Sequence, residues 1–330
     1  MDRDVTRSRT RRPAALGVAT VAALLAAAVP ALAMDEIKIA SAQRGLWTTT
    51  LVHLGEQKGI FEKHELDLDI HWADGGANTQ QAVISGAADI AVATGTLGAV
   101  SAWARGAPIE IIAADFTGGT DLFWFVRGDS DIDSVADLDG RSVSFSRPGS
   151  SSHQMAQGVV EAAGVEAEMV ATGGPAATFT AVMSGQVDVG WTAPPTVEQA
   201  MTSGEIRFLF SGNEAPGIAE QTVRVHIANR AWLDENQELA ERFLLALQET
   251  IDWAYDTDEA LEMWAEMHEV PLEVARAARD RGYPKSAMPM SPISGLDMTI
   301  ETGIETRRLD EPLSDAQKAD LVKWVEVLIP

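Results

Sequence analysis

"AVMSGQVDVGWTAPP" (residues 181–195) restates "AVISGAADIAVATGT" (residues 82–96) 99 residues later, with five of the first eight residues identical. Each copy predicts the end of an amphipathic helix stopped at a glycine, Gly86 or Gly185. Each then carries an aspartate, Asp89 or Asp188, and a short apolar run that reads as a buried strand. A helix–turn–strand unit repeated at about a domain's spacing predicts two similar α/β halves.

Working outward, "EIKIASA" (36–42), "LDLDIHWA" (66–73), "DIAVA" (89–93) and "IEIIAA" (109–114) predict four strands. Helical stretches lie between them, the first capped by Thr48, Thr49 or Thr50 and running to Lys58 before Gly59. After "DLFWFV" (121–126) the alternation restarts with "RSVSFS" (141–146), a helix, "AEMVAT" (167–172), the second copy of the repeat and "EIRFLF" (205–210). "VRVHIANR" (223–230) predicts a strand returning to the first half, and the chain from Asn236 is mainly helical, with Phe243, Leu244, Leu247 and Ile251 at helical spacing. Strands alternating with helices give parallel β-α-β units. The expected fold is therefore α/β, with two parallel-sheet lobes facing across a hinged cleft and a helical C-terminal region. The expected division is 34–122 (first lobe), 123–222 (second lobe) and 223–330 (return to the first lobe). In such sheets ligands sit beyond the carboxyl ends of the strands, where loops meet helix N-termini.

Residues 1–33 read as a secretion signal. Arg3, Arg7, Arg9, Arg11 and Arg12 precede an uncharged Ala-rich run ending Ala31-Leu32-Ala33, an A-x-A cleavage pattern. Thr10-Arg11-Arg12 before Pro13 is a poor match to a twin-arginine signal, so the export route stays open. The 330-residue chain carries a formal charge of −24; residues 1–33 hold five arginines against two aspartates, so the remainder stands at −27. Such a surface opposes nucleic acid and anionic lipid, and an anionic ligand would need local donors. The absence of cysteine excludes disulfides, thiol catalysis and lipid attachment at a cysteine. None of the six histidines is paired at metal-ligand spacing, so neither metal nor cofactor is expected.

"LGEQKGIFEKHELDLDI" (54–70) resembles the opening signature of periplasmic solute-binding proteins of ABC importers, of the nitrate/sulfonate/taurine type. "ISGAADIAVATGT", "GAPIEIIA" and "DLDGRSVSF" before a Ser-rich loop continue the likeness in order, so that it spans residues 36 to about 270. The resemblance implies a two-lobed periplasmic-binding-protein fold of type II. It also implies a monomeric, non-enzymatic receptor in the periplasm that hands a small molecule to an ABC permease and its ATPase. Members of that family bind sulfonates, taurine, nitrate, bicarbonate, aromatic carboxylates or thiamine-precursor pyrimidines. A small organic anion, with sulfonates first, is the leading expectation; aromatic carboxylates and pyrimidines come second because of Trp47, Trp124 and Trp191.

Candidate ligand contacts follow from the strand-end loops. "RPGSSSH" (147–153) brings Ser150, Ser151 and Ser152 to a helix N-terminus with Arg147 as the nearest cation, though one serine could serve only as a cap. His153 is expected to support that loop. Gln43, Arg44 and Trp47 follow the first strand, where relatives place a gate. Gly76, Ala77 and Asn78 would offer amides, and Thr94 and Thr96 hydroxyls. Thr117, Asp121 and Trp124 border the first crossing, with Asp121 either a ligand contact or a hinge residue. Trp191 and Thr192 stand in the second repeat where Val92 and Ala93 stand in the first. No G-x-S-x-G elbow, GxGxxG or phosphate loop suggests catalysis.

Overall fold

The computed structural model describes residues 34–42, 44–73 and 75–329. The signal segment and Gln43 therefore lie outside the described residues. The first half runs β1 (Asp35–Ser41), α1 (Trp47–Gln57), α2 (Ile60–Lys63), β2 (Leu66–Trp72), α3 (Gly76–Ile84), β3 (Ile90–Gly95), α4 (Thr96–Ala104) and β4 (Ile109–Thr117). The second runs β5 (Phe123–Arg127), β6 (Ser142–Phe145), α5 (Ser151–Ala163), β7 (Glu168–Ala171), α6 (Pro175–Met183), β8 (Gly190–Thr192), α7 (Glu198–Ser203) and β9 (Ile206–Ser211). The chain returns through β10 (Thr222–Asn229) and ends in α8 (Arg230–Glu235), α9 (Gln237–Asp256), α10 (Glu259–Met267), α11 (Leu272–Gly282), α12 (Leu296–Glu305), α13 (Asp315–Leu321) and α14 (Val325–Leu328).

One sheet has the order β2-β1-β3-β10-β4, and two smaller ones have the orders β8-β5-β9 and β6-β7. Pairing is parallel in β1–β2, β1–β3 and β6–β7. It is antiparallel where the crossing strands join, β10 against β3 and β4, and β5 against β8 and β9. The expectation of all-parallel sheets fails at these strands because a strand arriving from the other half has no crossover helix to reverse its direction. The first sheet buries Ile37, Ile39, Ile90, Val92 and Ile111 completely or nearly so, and β3 is buried along its whole length, which accounts for its unbroken apolar run. The C-terminal helices close over it: Ile300, Leu309, Leu313, Leu321 and Val325 share one core with Ala91, Val100 and Ile109.

The repeated stretch folds twice in the same way. Gly86 and Gly185 adopt φ of +74° and +73°, where a side chain would be strained. Their amides close the helix ends on Val83 (3.1 Å) and Val182 (3.0 Å). Asp89 then accepts the Lys38 amide at 2.8 Å, and Asp188 accepts the Ser142 amide at 2.8 Å. Both aspartates thus tie the repeat to a neighbouring strand at the end away from the cleft. The first helix differs from expectation. Its N-cap is Leu46, Thr48 to Thr50 lie inside its first turn, and it stops at Gln57.

Where the first copy has Ala91, the second has Gly190, because Phe125 of the paired strand fills the space. A methyl group on Gly190 would sit 2.8 Å from Phe125 Cε1 and 2.7 Å from Val182 Cγ2. Gly190→Ala should therefore cost about 1–3 kcal/mol by overpacking. Urea denaturation should show a lower midpoint with an unchanged slope; a midpoint equal to the parent's contradicts this packing.

Candidate functional site

Four helices point their N-termini at one small cavity. Its walls include Leu46, Thr48 and Thr49 at the start of α1, Gly76 at the start of α3, Gly95 before α4, and Ser150, Ser151 and Ser152 at the start of α5. The N-cap residues of α1, α3 and α4 are Leu46, Gly75 and Gly95, which carry no side-chain acceptor for first-turn amides. Only α5 is capped from its own N-cap position, where Ser150 accepts the His153 amide at 3.2 Å. Each uncapped end presents N–H groups and the positive pole of its helix, an arrangement suited to an anion.

Apolar walls come from Ala42, Ala93, Leu122 and Trp191. The cavity holds about 30 Å³, far below the few hundred Å³ usual for a ligand pocket, so the cleft is nearly shut. The closure is made of backbone. A Cβ on Gly95 would lie 2.9 Å from the Gly149 carbonyl, and one on Gly98 would lie 2.8 Å from it.

The cavity's cation is Arg224, on the returning strand β10. Its side chain is 7% exposed and its guanidinium lies 4.6 Å from the centre of the Phe116 ring. Nη2 donates to Asp121 Oδ2 at 2.6 Å, Nη1 donates to Ser151 Oγ at 3.3 Å, and Nε lies 3.5 Å from Asp115 Oδ2. His226 approaches Asp115 from behind at 3.6 Å. Burial opposes the charge on Arg224, yet Asp121 and Asp115 together hold its pKa above the ordinary value. Burial, helped by like charge from Asp115, pushes the Asp121 carboxyl above its usual range against the pull of Arg224. For His226, burial outweighs Asp115 and lowers the imidazole pKa.

Around Arg224 the serines form a chain. Ser150 Oγ pairs with Ser152 Oγ at 3.0 Å, and Ser152 Oγ reaches Ser146 Oγ at 3.1 Å. Trp191 is 2% exposed, and its indole N–H, on a residue lining the cavity, has no hydrogen-bond partner among the described residues. A buried donor left unsatisfied costs free energy unless something accepts from it.

Of the residues expected here, Gly76, Ser150, Ser151, Ser152 and Trp191 line the cavity. The other expected residues that the structure describes lie outside its walls. Trp47 is fully buried in a second core, donating to Tyr255 Oη at 3.0 Å and packing edge-on against Trp264. Trp124 stacks on Phe210 and donates to the Ser144 carbonyl at 2.8 Å. Arg44 is exposed, with its guanidinium 4.8 Å from the centre of the Trp72 ring. Thr94 bonds to the Val225 carbonyl (3.3 Å), Thr96 to the Thr222 carbonyl (2.6 Å) and Thr117 to Thr222 Oγ1 (3.2 Å), so these hydroxyls fasten β10 and its surroundings. Asp121 sits behind Arg224. Ala77, Asn78, Arg147 and Thr192 are close in sequence to the walls but not part of them. Arg224 is not among the expected contacts because "VRVHIANR" reads as a returning strand; an arginine between two valines in a strand is the available signal.

Among the described residues no His, Asp and Glu cluster could hold a metal ion, and no helix is long and apolar enough to cross a membrane.

The NMT1/THI5-like family profile matches residues 48–260, well over half of the chain. The chain belongs to the NMT1/THI5-like family. No curated protein sequence matches it. Its fold is that of the alkanesulfonate-binding protein from Xanthomonas axonopodis pv. citri, solved bound to MOPS (TM-score 0.69, 19% identity, 88% of this chain and 97% of that one). The periplasmic nitrate-binding protein from Synechocystis is also similar (TM-score 0.66, 16% identity, 86% and 84%). So is a desulfurization enzyme (TM-score 0.62, 15% identity, 89% and 99%). These likenesses establish the two-lobed periplasmic-binding-protein fold.

The buried charge cluster has a measurable consequence. Asp121→Ala leaves the Arg224 guanidinium with only the more distant Asp115, and loss of one partner of a buried pair costs about 3–5 kcal/mol. Chemical denaturation of this variant should show a loss of that order. Stability within 1 kcal/mol of the parent, roughly a surface-pair effect, means that Arg224 does not depend on Asp121.

Proposed function

We propose that this protein is a periplasmic receptor for a small organic anion, with a short-chain sulfonate such as taurine as the first candidate. It closes two lobes, residues 34–122 with 223–330 and residues 123–222, around the ligand and presents the closed form to an ABC permease and its ATPase. The convergence of four helix N-termini on Arg224 carries this reading. Each helix end favours an anion by about 0.3–1 kcal/mol, up to roughly 2 when partly buried. A desolvated charge pair can be worth about 2–5 kcal/mol when one partner is removed. The Ser150–Ser152 hydroxyls and the Trp191 indole N–H add neutral donors suited to the several oxygens of a sulfonate. The nearly closed walls favour a compact ligand whose acid group makes up much of its volume. An aromatic ligand gains less support, because Trp47 and Trp124 are occupied in the cores and only Trp191 faces the cavity.

Catalysis is not part of this reading. The Ser150, Ser152 and Ser146 hydroxyls bond to one another, and His153 accepts from Arg308 and bonds to no serine hydroxyl among the described residues, so this loop sets up no nucleophile–base pair. The proximity of a desulfurization enzyme in fold alone does not change that chemistry.

Calorimetry on the mature chain with taurine, ethanesulfonate, nitrate, benzoate and an aminopyrimidine should show binding of the sulfonates. Ser151→Ala should weaken sulfonate binding by about tenfold, since the α5 amides remain. Arg224→Lys should weaken it by at least that much, because the ammonium loses the planar fork. Binding of benzoate or the pyrimidine in preference to both sulfonates would reverse the ligand assignment. Parent-like affinity in both variants would remove the site from this cleft. On export, mass spectrometry should find a soluble product beginning at or near Met34; a full-length, membrane-retained product is incompatible with a periplasmic receptor.

A further inference from the structure

The serine loop is held from a part of the chain beyond the family-matched segment, which ends at residue 260. Arg308 follows α12, in a turn where its amide and that of Leu309 both donate to the Gly303 carbonyl, at 2.7 and 2.9 Å. Leu309 is buried against the first sheet's core with Val100 and Ile300, so this turn is fixed to the first half. The Arg308 side chain crosses to the second. Nη2 donates to His153 Nδ1, and Nη1 lies 3.4 Å from where a Cβ on Gly149 would be. His153 is in the first turn of α5, and its ring stacks on Phe145 at 4.0 Å between centres. The Gly149 amide also points at Nδ1, at 3.5 Å. Two donors on Nδ1 leave the imidazole neutral, with its proton on Nε2.

We propose that Arg308 is a positioning residue for the ligand site, clamping the loop of Ser150, Ser151 and Ser152 against the first half by donating to neutral His153. The proposal rests on the reading of the cleft as an anion site, but the clamp itself can be tested without a ligand. Arg308 forms no ion pair with a carboxylate among the described residues, so its hydrogen bond to His153 is not a by-product of a salt bridge. Arg105, whose Nη1 donates to the Arg308 carbonyl at 3.0 Å, adds like charge behind it. Asp310 and Glu311 line the adjoining hollow with exposed side chains, Arg147 lies in the loop itself, and Phe145 on the ring's face does not ionise.

The clamp is sensitive to acid in a defined direction. Burial, and then the charge of Arg308, lowers the His153 pKa from 6.5 to about 4. A histidine depressed in the folded state supports that state above its unfolded pKa and ceases to do so as pH falls. The clamp is therefore intact above about pH 6.5 and loosens towards pH 4, where protonated Nδ1 can no longer accept.

Arg308→Ala removes the donor and the charge, whereas Arg308→Gln keeps a donor without charge. Hydrogen exchange on the ligand-free mature chain at pH 7 should show several-fold faster exchange in residues 146–156 of Arg308→Ala, with Arg308→Gln closer to the parent. Lowering the pH to 5, after correction for intrinsic rates, should accelerate that segment in the parent and to a smaller extent in Arg308→Ala, where burial alone still disfavours the protonated imidazole. By NMR, His153 should titrate at higher pH in both variants than in the parent. Parent-like exchange in Arg308→Ala, or an unmoved His153 titration, overturns the clamp. With taurine as probe, Arg308→Ala should bind more weakly and Arg308→Gln should recover most of the loss. Failure of the parent to bind taurine counts against the sulfonate reading alone, while the exchange and titration measurements still decide the clamp.

Discussion

A guanidinium buried at the meeting point of two half-proteins must be compensated, and much of the central architecture follows from how that is done. Arg224 enters on the strand that returns from one half to the other, and its acids, Asp115 and Asp121, flank the outgoing crossing. The two chain crossings are thus tied to one another by charge as well as by the β4–β10 ladder. Two carboxylates against one guanidinium leave the cluster net negative by one. The face turned to the cavity is nevertheless cationic, because Arg224 lines it while the acids do not. If the crossings act as the hinge of the proposed receptor, this bracing keeps the cation oriented whether or not the lobes are together.

The rest of the anion-attracting character is backbone. The protein carries a strongly acidic surface, −24 over the full sequence, and a long-range field of that sign repels anions. On the proposed anion reading, four helix ends and a few hydroxyls at the cleft overcome it over short distances, where screening by salt matters less than outside.

The repeat and its consequences were legible because they are local. A glycine that must adopt positive φ, an aspartate that caps a neighbouring strand and an apolar run in a buried sheet each leave a mark within a few residues. The serine loop was legible for the same reason. What could not be read was tertiary. Trp47 and Trp124 look like cleft aromatics until the C-terminal helices supply Tyr255 and Trp264 for one, and β9 supplies Phe210 for the other. Arg224 lies 73 residues from the serine it touches, and Arg308 lies 155 from His153. Separations of that size are set by topology, and a strand arginine or a turn arginine gives no local sign of which loop it will meet.

On the proposed receptor reading, the same helix ends make closure depend on what lies between them. In the shut cleft the first turns of α4 and α5 meet so closely that Gly95 and Gly98 face the Gly149 carbonyl with no room for a side chain. Two positive helix poles and Arg224 are thereby brought to one small volume, an arrangement that raises the energy of the shut form when nothing negative is present. An anion placed there contacts both halves at once and turns that repulsion into attraction. In the open form it would meet the donors of only one face. Its affinity for the closed form therefore exceeds its affinity for the open one, and that difference is what allows a ligand to drive a conformational equilibrium. The Arg308–His153 clamp acts on the same seam from the far side of α5, so its hold on the loop and the anion's pull on the helix ends favour the same state.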